Sequence, residues 1–161
     1  MGEADKAYER ALAFLEKRDR TEREVYDKLA GAGFSSEAVS QVLGRLRDAG
    51  FVDDAGYAAR YMEALAAKGR GRLRIAAEMR RKGLPDELVR NTLEDGALED
   101  GERARALDAA RRAFGQVPEG TDARKAAAKV GRRLATLGFS YAVIGDVMGE
   151  LAREAREPEE G

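Results

Sequence analysis

The stretch Leu29-Ala30-Gly31-Ala32-Gly33-Phe34-Ser35-Ser36-Glu37-Ala38-Val39 joins two helical patterns through a Gly-apolar-Ser turn, and related turns recur at Gly83-Leu84-Pro85 and Gly138-Phe139-Ser140. Eight residues before each turn glycine stand Val25, Ile75 and Val130, and four before stand Leu29, Met79 and Leu134. Six after come Val39, Val89 and Ile144, and ten after come Leu43, Leu93 and Met148. Residues four apart share a helix face, so this common register marks one helix pair used three times.

A leading helix precedes each pair. Tyr8, Ala11, Leu12 and Leu15 fall at i, i+3, i+4 and i+7, as do Ala58, Tyr61, Met62 and Leu65, while Leu107, Ala110 and Phe114 give a sparser version. The pattern predicts an all-α fold of about nine helices in three tandem three-helix repeats, over residues 1–52, 53–98 and 99–155, with an acidic tail over 156–161. The turn glycines are 50 and then 55 residues apart, and the added length is expected in the loop Gly115-Gln116-Val117-Pro118-Glu119-Gly120. Thr21 with Glu24 has the form of a capping box, Ser35, Asp122 and Ser140 are further helix caps, and the turn glycines suit a left-handed helix stop. A repeat this small has little interior of its own, which predicts an elongated, curved array whose neighbours pack together.

Composition narrows the function. Among 161 residues, 43% are hydrophobic and only 6% aromatic, which suits closely packed helices. With no cysteine there is no disulfide or thiolate metal site, and the expected address is the cytoplasm. The amino-terminal Met1-Gly2-Glu3-Ala4-Asp5-Lys6 begins no signal peptide, and no apolar run is long enough to cross a membrane. Histidine is absent too, which removes Ser-His and Cys-His catalysis, and no other side chains gather into a catalytic pattern. The expectation is a binding protein with no cofactor and no enzymatic activity.

Net charge is −1, but the charge is segregated. From Arg60 to Lys82 eight basic residues oppose two acidic ones, a net of +6; from Asp86 to Glu102 the balance is −6; from Arg103 to Arg133 it returns to +6. Most such residues are solvated helix faces. Arg70-Gly71-Arg72-Leu73-Arg74 stands out, because glycines beside arginines permit close approach to phosphates or carboxylates, which guanidinium grips through paired hydrogen bonds. The residues expected to meet a partner or DNA are Arg70, Arg72, Arg74, Arg80, Arg81, Lys82, Arg132 and Arg133. A pI near 5.8 argues against strong independent DNA binding, and no aromatic residues interleave with these arginines for base stacking. Asp53-Asp54 lacks the further ligands a hard cation needs, and is expected to cap and electrostatically favour the helix that carries Tyr57 and Tyr61.

Arg18-Asp19-Arg20-Thr21-Glu22-Arg23-Glu24-Val25, Val52-Asp53-Asp54-Ala55-Gly56-Tyr57-Ala58, Gly69-Arg70-Gly71 and Lys82-Gly83-Leu84 together resemble the signature of the RecX family, bacterial regulators of the RecA recombinase. The resemblance covers about Ala7 to Leu93, and the third repeat shares only its helix pattern. Thr21 stands where the family commonly has Ser, and Val25, Val52 and Met79 where Leu is usual, changes that keep the chemistry. The resemblance implies tandem three-helix units and a modulator, usually an inhibitor, acting in recombination, DNA repair and the SOS response; the expected form is a monomer. Its partner would be the RecA filament, with the single-stranded DNA inside touched weakly or indirectly, and its effect would fall on ATP turnover and strand exchange. Two rival readings are a stand-alone DNA-binding protein with helix-turn-helix-like units and a scaffold that binds an unrelated protein. Against the first, the helices after the three turns carry Glu37, Gln41, Glu87 and Asp146, poor chemistry for a major groove.

Overall fold

Thr21 opens its helix as the pattern predicts: its Oγ accepts from the Glu24 amide at 3.1 Å, and the Glu24 carboxylate accepts from the Thr21 amide at 3.0 Å. Ser35, Asp122 and Ser140 likewise accept from first-turn amides, of Ala38, of Arg124 and Lys125, and of Val143. Such caps satisfy amides that have no partner inside the helix, each stabilising by about 1 kcal/mol. In the computed structural model, which describes residues 1–157 except the side chain of Ala97, they delimit nine helices and no strand among the described residues. These are α1 (Glu3–Lys17), α2 (Glu22–Gly31), α3 (Ser36–Asp48), α4 (Asp54–Ala67), α5 (Arg72–Arg81), α6 (Asp86–Leu93), α7 (Gly96–Gly115), α8 (Ala123–Leu137) and α9 (Tyr141–Arg156). The acidic tail expected over 156–161 lies outside the described residues from Pro158 onward.

The chain divides into two compact units. The first comprises residues 1–61 and 78–92, and the second residues 62–77 together with the chain from Leu93. This division differs from that of the sequence repeats, because α4 and α5 each contribute one end to either unit.

In the first unit Ala7 and Ala11 of α1, Val25 and Leu29 of α2, and Val39, Val42 and Leu46 of α3 form a closed core. In the second, Ala106 and Ala110 of α7, Val130, Leu134 and Leu137 of α8, Phe139 of the turn and Val147 of α9 do the same. Full burial of a leucine or valine contributes about 1.5–3 kcal/mol, so each cluster outweighs any single cap. Ile144 and Met148, the stripe residues of α9, are only partly buried, and Val147 between them reaches the centre.

The added length of the third repeat is not all loop. Helix α8 starts at Ala123, 15 residues before Gly138, whereas α2 and α5 start at Glu22 and Arg72, each 11 residues before its own turn glycine. Ala123-Arg124-Lys125-Ala126-Ala127 are strong helix formers behind a capping Asp122, so much of the insertion became an extra helical turn.

One joint occurs in both units. In the first, the Thr21 hydroxyl donates to the Lys82 carbonyl at 2.7 Å, and the Glu22 amide donates to Asp54 Oδ1 at 2.9 Å. In the second, the Gly71 amide donates to the Leu137 carbonyl at 2.8 Å, and the Arg72 amide donates to Glu102 Oε1 at 2.9 Å. Each joint therefore sets the first turn of a middle helix, α2 or α5, against the carbonyl before the next turn glycine. Each also satisfies an orphan amide with a carboxylate from the next leading helix. The glycines make the approach possible: a Cβ at Gly83 would strike Arg23, and one at Gly138 would strike the backbone of Arg74.

This joint refines the expectation for Asp53-Asp54. Asp53 caps α4, accepting from the Gly56 amide at 3.1 Å, while Asp54 caps α2 across the joint. Burial pushes the Asp54 carboxyl above its ordinary value, and the hydrogen bond from Glu22 opposes that shift.

Candidate functional site

The eight cationic residues singled out by sequence fall in both units. Arg80, Arg81 and Lys82 belong to the first. Arg80 is paired with Asp86 at 3.1 Å and Arg81 with Glu78 at 3.4 Å, while the Lys82 ammonium lies 5.9 Å from the centre of the Tyr61 ring. Arg70, Arg72, Arg74, Arg132 and Arg133 belong to the second unit.

Within the second unit the Arg70-to-Arg74 block is largely committed to holding the protein together. Gly71 is buried, and a Cβ there would meet the Gly138 carbonyl at 2.5 Å. Its amide is bound to Leu137 and the amide of Leu73 to the Gly138 carbonyl at 3.0 Å. The Arg72 side chain points to Glu99 at 3.4 Å, and the Arg74 guanidinium donates to the Thr136 carbonyl at 3.2 Å. Gly71, Arg72 and Arg74 thus serve an internal approach of α5 to the end of α8, and Arg70 alone of the three arginines is left facing a groove.

Helix α7 sorts its arginines onto two faces. Arg103 is held by Asp146 at 2.6 Å and by Glu150, and Arg111 by Glu154 at 3.0 Å, all on α9. On the other side Arg105 and Arg112 face a groove of about 460 Å³, whose wall continues through Lys68, Arg70 and Arg133 and whose small residues include Ala66, Ala109 and Ala113. Asp108 is its one acidic lining residue, paired with Arg112 at 2.9 Å. Among the described residues no carboxylate lies within ion-pairing distance of Lys68, Arg70, Arg105 or Arg133.

Arg105 is the least satisfied cation there. Its Nε and Nη2 are buried without a hydrogen-bond partner among the described residues, and Nη1 reaches only the Leu98 carbonyl, at 3.5 Å. Burial pushes its guanidinium below the usual value, and Glu102 partly opposes that. Uncompensated charge in a recess favours an anionic ligand, whereas exposed ion pairs elsewhere on the surface contribute little. The lining holds no histidine, cysteine, serine or carboxylate pair with which to do chemistry, and no group of three metal-ligating side chains forms among the described residues.

Sequence reasoning found Arg70 and Arg133 of this groove and missed Lys68, Arg105 and Arg112. The missed signal was spacing: seven residues separate Arg105 from Arg112, which returns them to nearly the same face of α7. On the helices that follow the turns, Glu37, Gln41, Glu87 and Asp146 are all exposed. No described helix is long and apolar enough to cross a membrane.

Comparison with known proteins adds a family. Residues 7–46 match the first three-helix domain of RecX, and residues 53–93 the second. The chain is 35% identical to the regulatory protein RecX of Mycobacterium sp. (strain KMS), over 93% of this chain and 84% of that protein. It is 34% identical to that of Geobacillus kaustophilus (strain HTA426), over 98% of this chain and 58% of that protein. Among solved structures, RecX from Lactobacillus salivarius superposes with a TM-score of 0.83 at 24% identity, covering 94% of this chain and 97% of the other. A second crystal structure of a regulatory protein RecX gives 0.78 at 27% identity, covering 91% and 72%.

Proposed function

The chain belongs to the RecX family, and from that premise we propose that it inhibits the RecA recombinase by binding the RecA filament on single-stranded DNA. Binding would slow ATP turnover and strand exchange by obstruction, with no catalytic step of its own and no cofactor. The observation that carries this reading is similarity to regulatory proteins along 93% of the chain, third repeat included. The helical repeats suit such a role, because several modest contacts to a repeating partner add through avidity. The working place is the cytoplasm and the working form a monomer.

The partner contact that carries the affinity is made by the exposed cations of the second unit, Arg132 and Arg133, since Arg80 and Arg81 of the first are already paired with Asp86 and Glu78. Independent duplex reading fits the surface poorly, since α3, α6 and α9 expose acidic residues where a major-groove helix needs donors.

The test is DNA-dependent ATP hydrolysis by the cognate RecA on single-stranded DNA, titrated with this protein and accompanied by its binding to the naked strand. Suppression at protein levels too low to cover the DNA is the expected result. Unchanged turnover and strand exchange, with tight salt-sensitive binding to naked DNA, would overturn it in favour of independent DNA binding.

A further inference from the structure

We propose that the groove lined by Lys68, Arg70, Arg105, Arg112 and Arg133 is a binding site for the phosphodiester backbone of a single DNA strand. The inference rests on the filament reading and deepens it, by naming what one face of the protein grips inside that filament.

Charge selects the ligand class. Five cations and one carboxylate line the groove, a local net of +4 in a chain whose total is −1. Four of those cations have no carboxylate within ion-pairing distance among the described residues, while Arg103 and Arg111 on the same helix are neutralised by α9. The uncompensated charge is therefore specific to this face of α7.

The spread of charge suits a run of phosphates. Arg105 and Arg112 leave α7 about 10 Å apart along the helix axis, so the cations are distributed along the groove and not clustered at one point. Lys68 and Arg70 add charge from the segment between α4 and α5, and Arg133 adds it from α8. Small side chains at Ala66, Ala109 and Ala113 keep that path unobstructed. Because the lining contains no aromatic ring, the bases have no stacking platform, and recognition is of backbone without sequence preference. The low pI keeps the affinity modest, which suits a site used on DNA already held by a filament.

Fluorescence anisotropy with labelled oligo(dT) and oligo(dC), at low salt and with the full chain, tests this. Equal binding of the two strands, competition by inorganic pyrophosphate, and a roughly tenfold loss in Arg112→Gln/Arg133→Gln are expected. The log–log salt slope of that variant should fall by about 1.4, for two lost phosphate contacts at about 0.7 each. Arg80→Gln/Arg81→Gln, in the other unit, should stay within about twofold of the parent, and circular dichroism melting checks that both variants fold. Unchanged binding in Arg112→Gln/Arg133→Gln, an equal loss in Arg80→Gln/Arg81→Gln, tighter binding of duplex than of single strand, or marked preference for one base would each overturn the assignment. A chain that suppresses RecA turnover without binding the oligonucleotides sinks the groove and leaves the regulatory role standing. Groove-dependent binding without any effect on RecA does the reverse.

Discussion

The joint of the first unit is closed by a threonine hydroxyl and that of the second by a bare backbone amide. Thr21 and Gly71 each stand 12 residues before their own turn glycine, and each donates to the carbonyl just before the next one. The residues leading into them correspond as well: Arg18 and Arg20 in the first unit match Lys68 and Arg70 in the second. Their fates diverge. Arg18 pairs with Glu24 at 3.5 Å and Arg20 packs over the Phe14 ring at 4.0 Å, whereas Lys68 and Arg70 line the groove without a carboxylate partner among the described residues. Equivalent positions in one repeated joint are thus structural in one unit and available to a ligand in the other.

The largest effect expected is at the second joint. A Cβ at Gly138 meets the Arg74 backbone and must also adopt φ of +100°, so Gly138→Ala should cost about 3–4 kcal/mol in chemical denaturation. Gly71→Ala places its Cβ against the Gly138 carbonyl and should cost about 2–3 kcal/mol, more than Thr21→Ala at about 1–2 kcal/mol, which removes a cap and one hydrogen bond. If Thr21→Ala proves the more damaging of the two, the joints differ in some way other than space. Gly33 belongs to the same turn pattern, but a methyl group there would meet nothing within 4 Å, so Gly33→Ala should cost only the left-handed backbone term, about 1 kcal/mol.

A smaller effect lies in pH. Folding raises the Asp54 carboxyl above 3.8, so the folded state holds that proton to higher pH than the unfolded chain does. Stability contributed by Asp54 therefore falls as pH rises from about 3.8 through its folded value, and the stability of the parent relative to Asp54→Asn should decline across that window. A relative stability that climbs with pH would show that the hydrogen bond from Glu22 outweighs the cost of burial.

Much of the architecture was legible because helix periodicity is local. Val25, Leu29, Val130 and Leu134 are all fully buried, as their register requires. The third leading helix read weakly because its innermost residues are Ala106 and Ala110, whose small size gives a faint apolar signal while allowing close helix packing. The groove was only partly legible. Arg70 and Arg133 are far apart in sequence and come together through tertiary folding, and no local pattern distinguishes Arg105, with its unpartnered guanidinium, from Arg103, which two carboxylates hold. The glycines of the Arg70-to-Arg74 block looked like room for a ligand because sequence does not say which backbone approaches them, and that backbone is the end of α8.

The most direct test of the account compares two charge-neutralised chains in RecA-catalysed, single-stranded-DNA-dependent ATP hydrolysis. Arg112→Gln/Arg133→Gln should need roughly tenfold more protein for half-suppression than the parent, and Arg80→Gln/Arg81→Gln no more than about twofold. Equal suppression by all three chains would contradict a filament contact made through the groove, and no suppression by the parent itself would contradict the regulatory role.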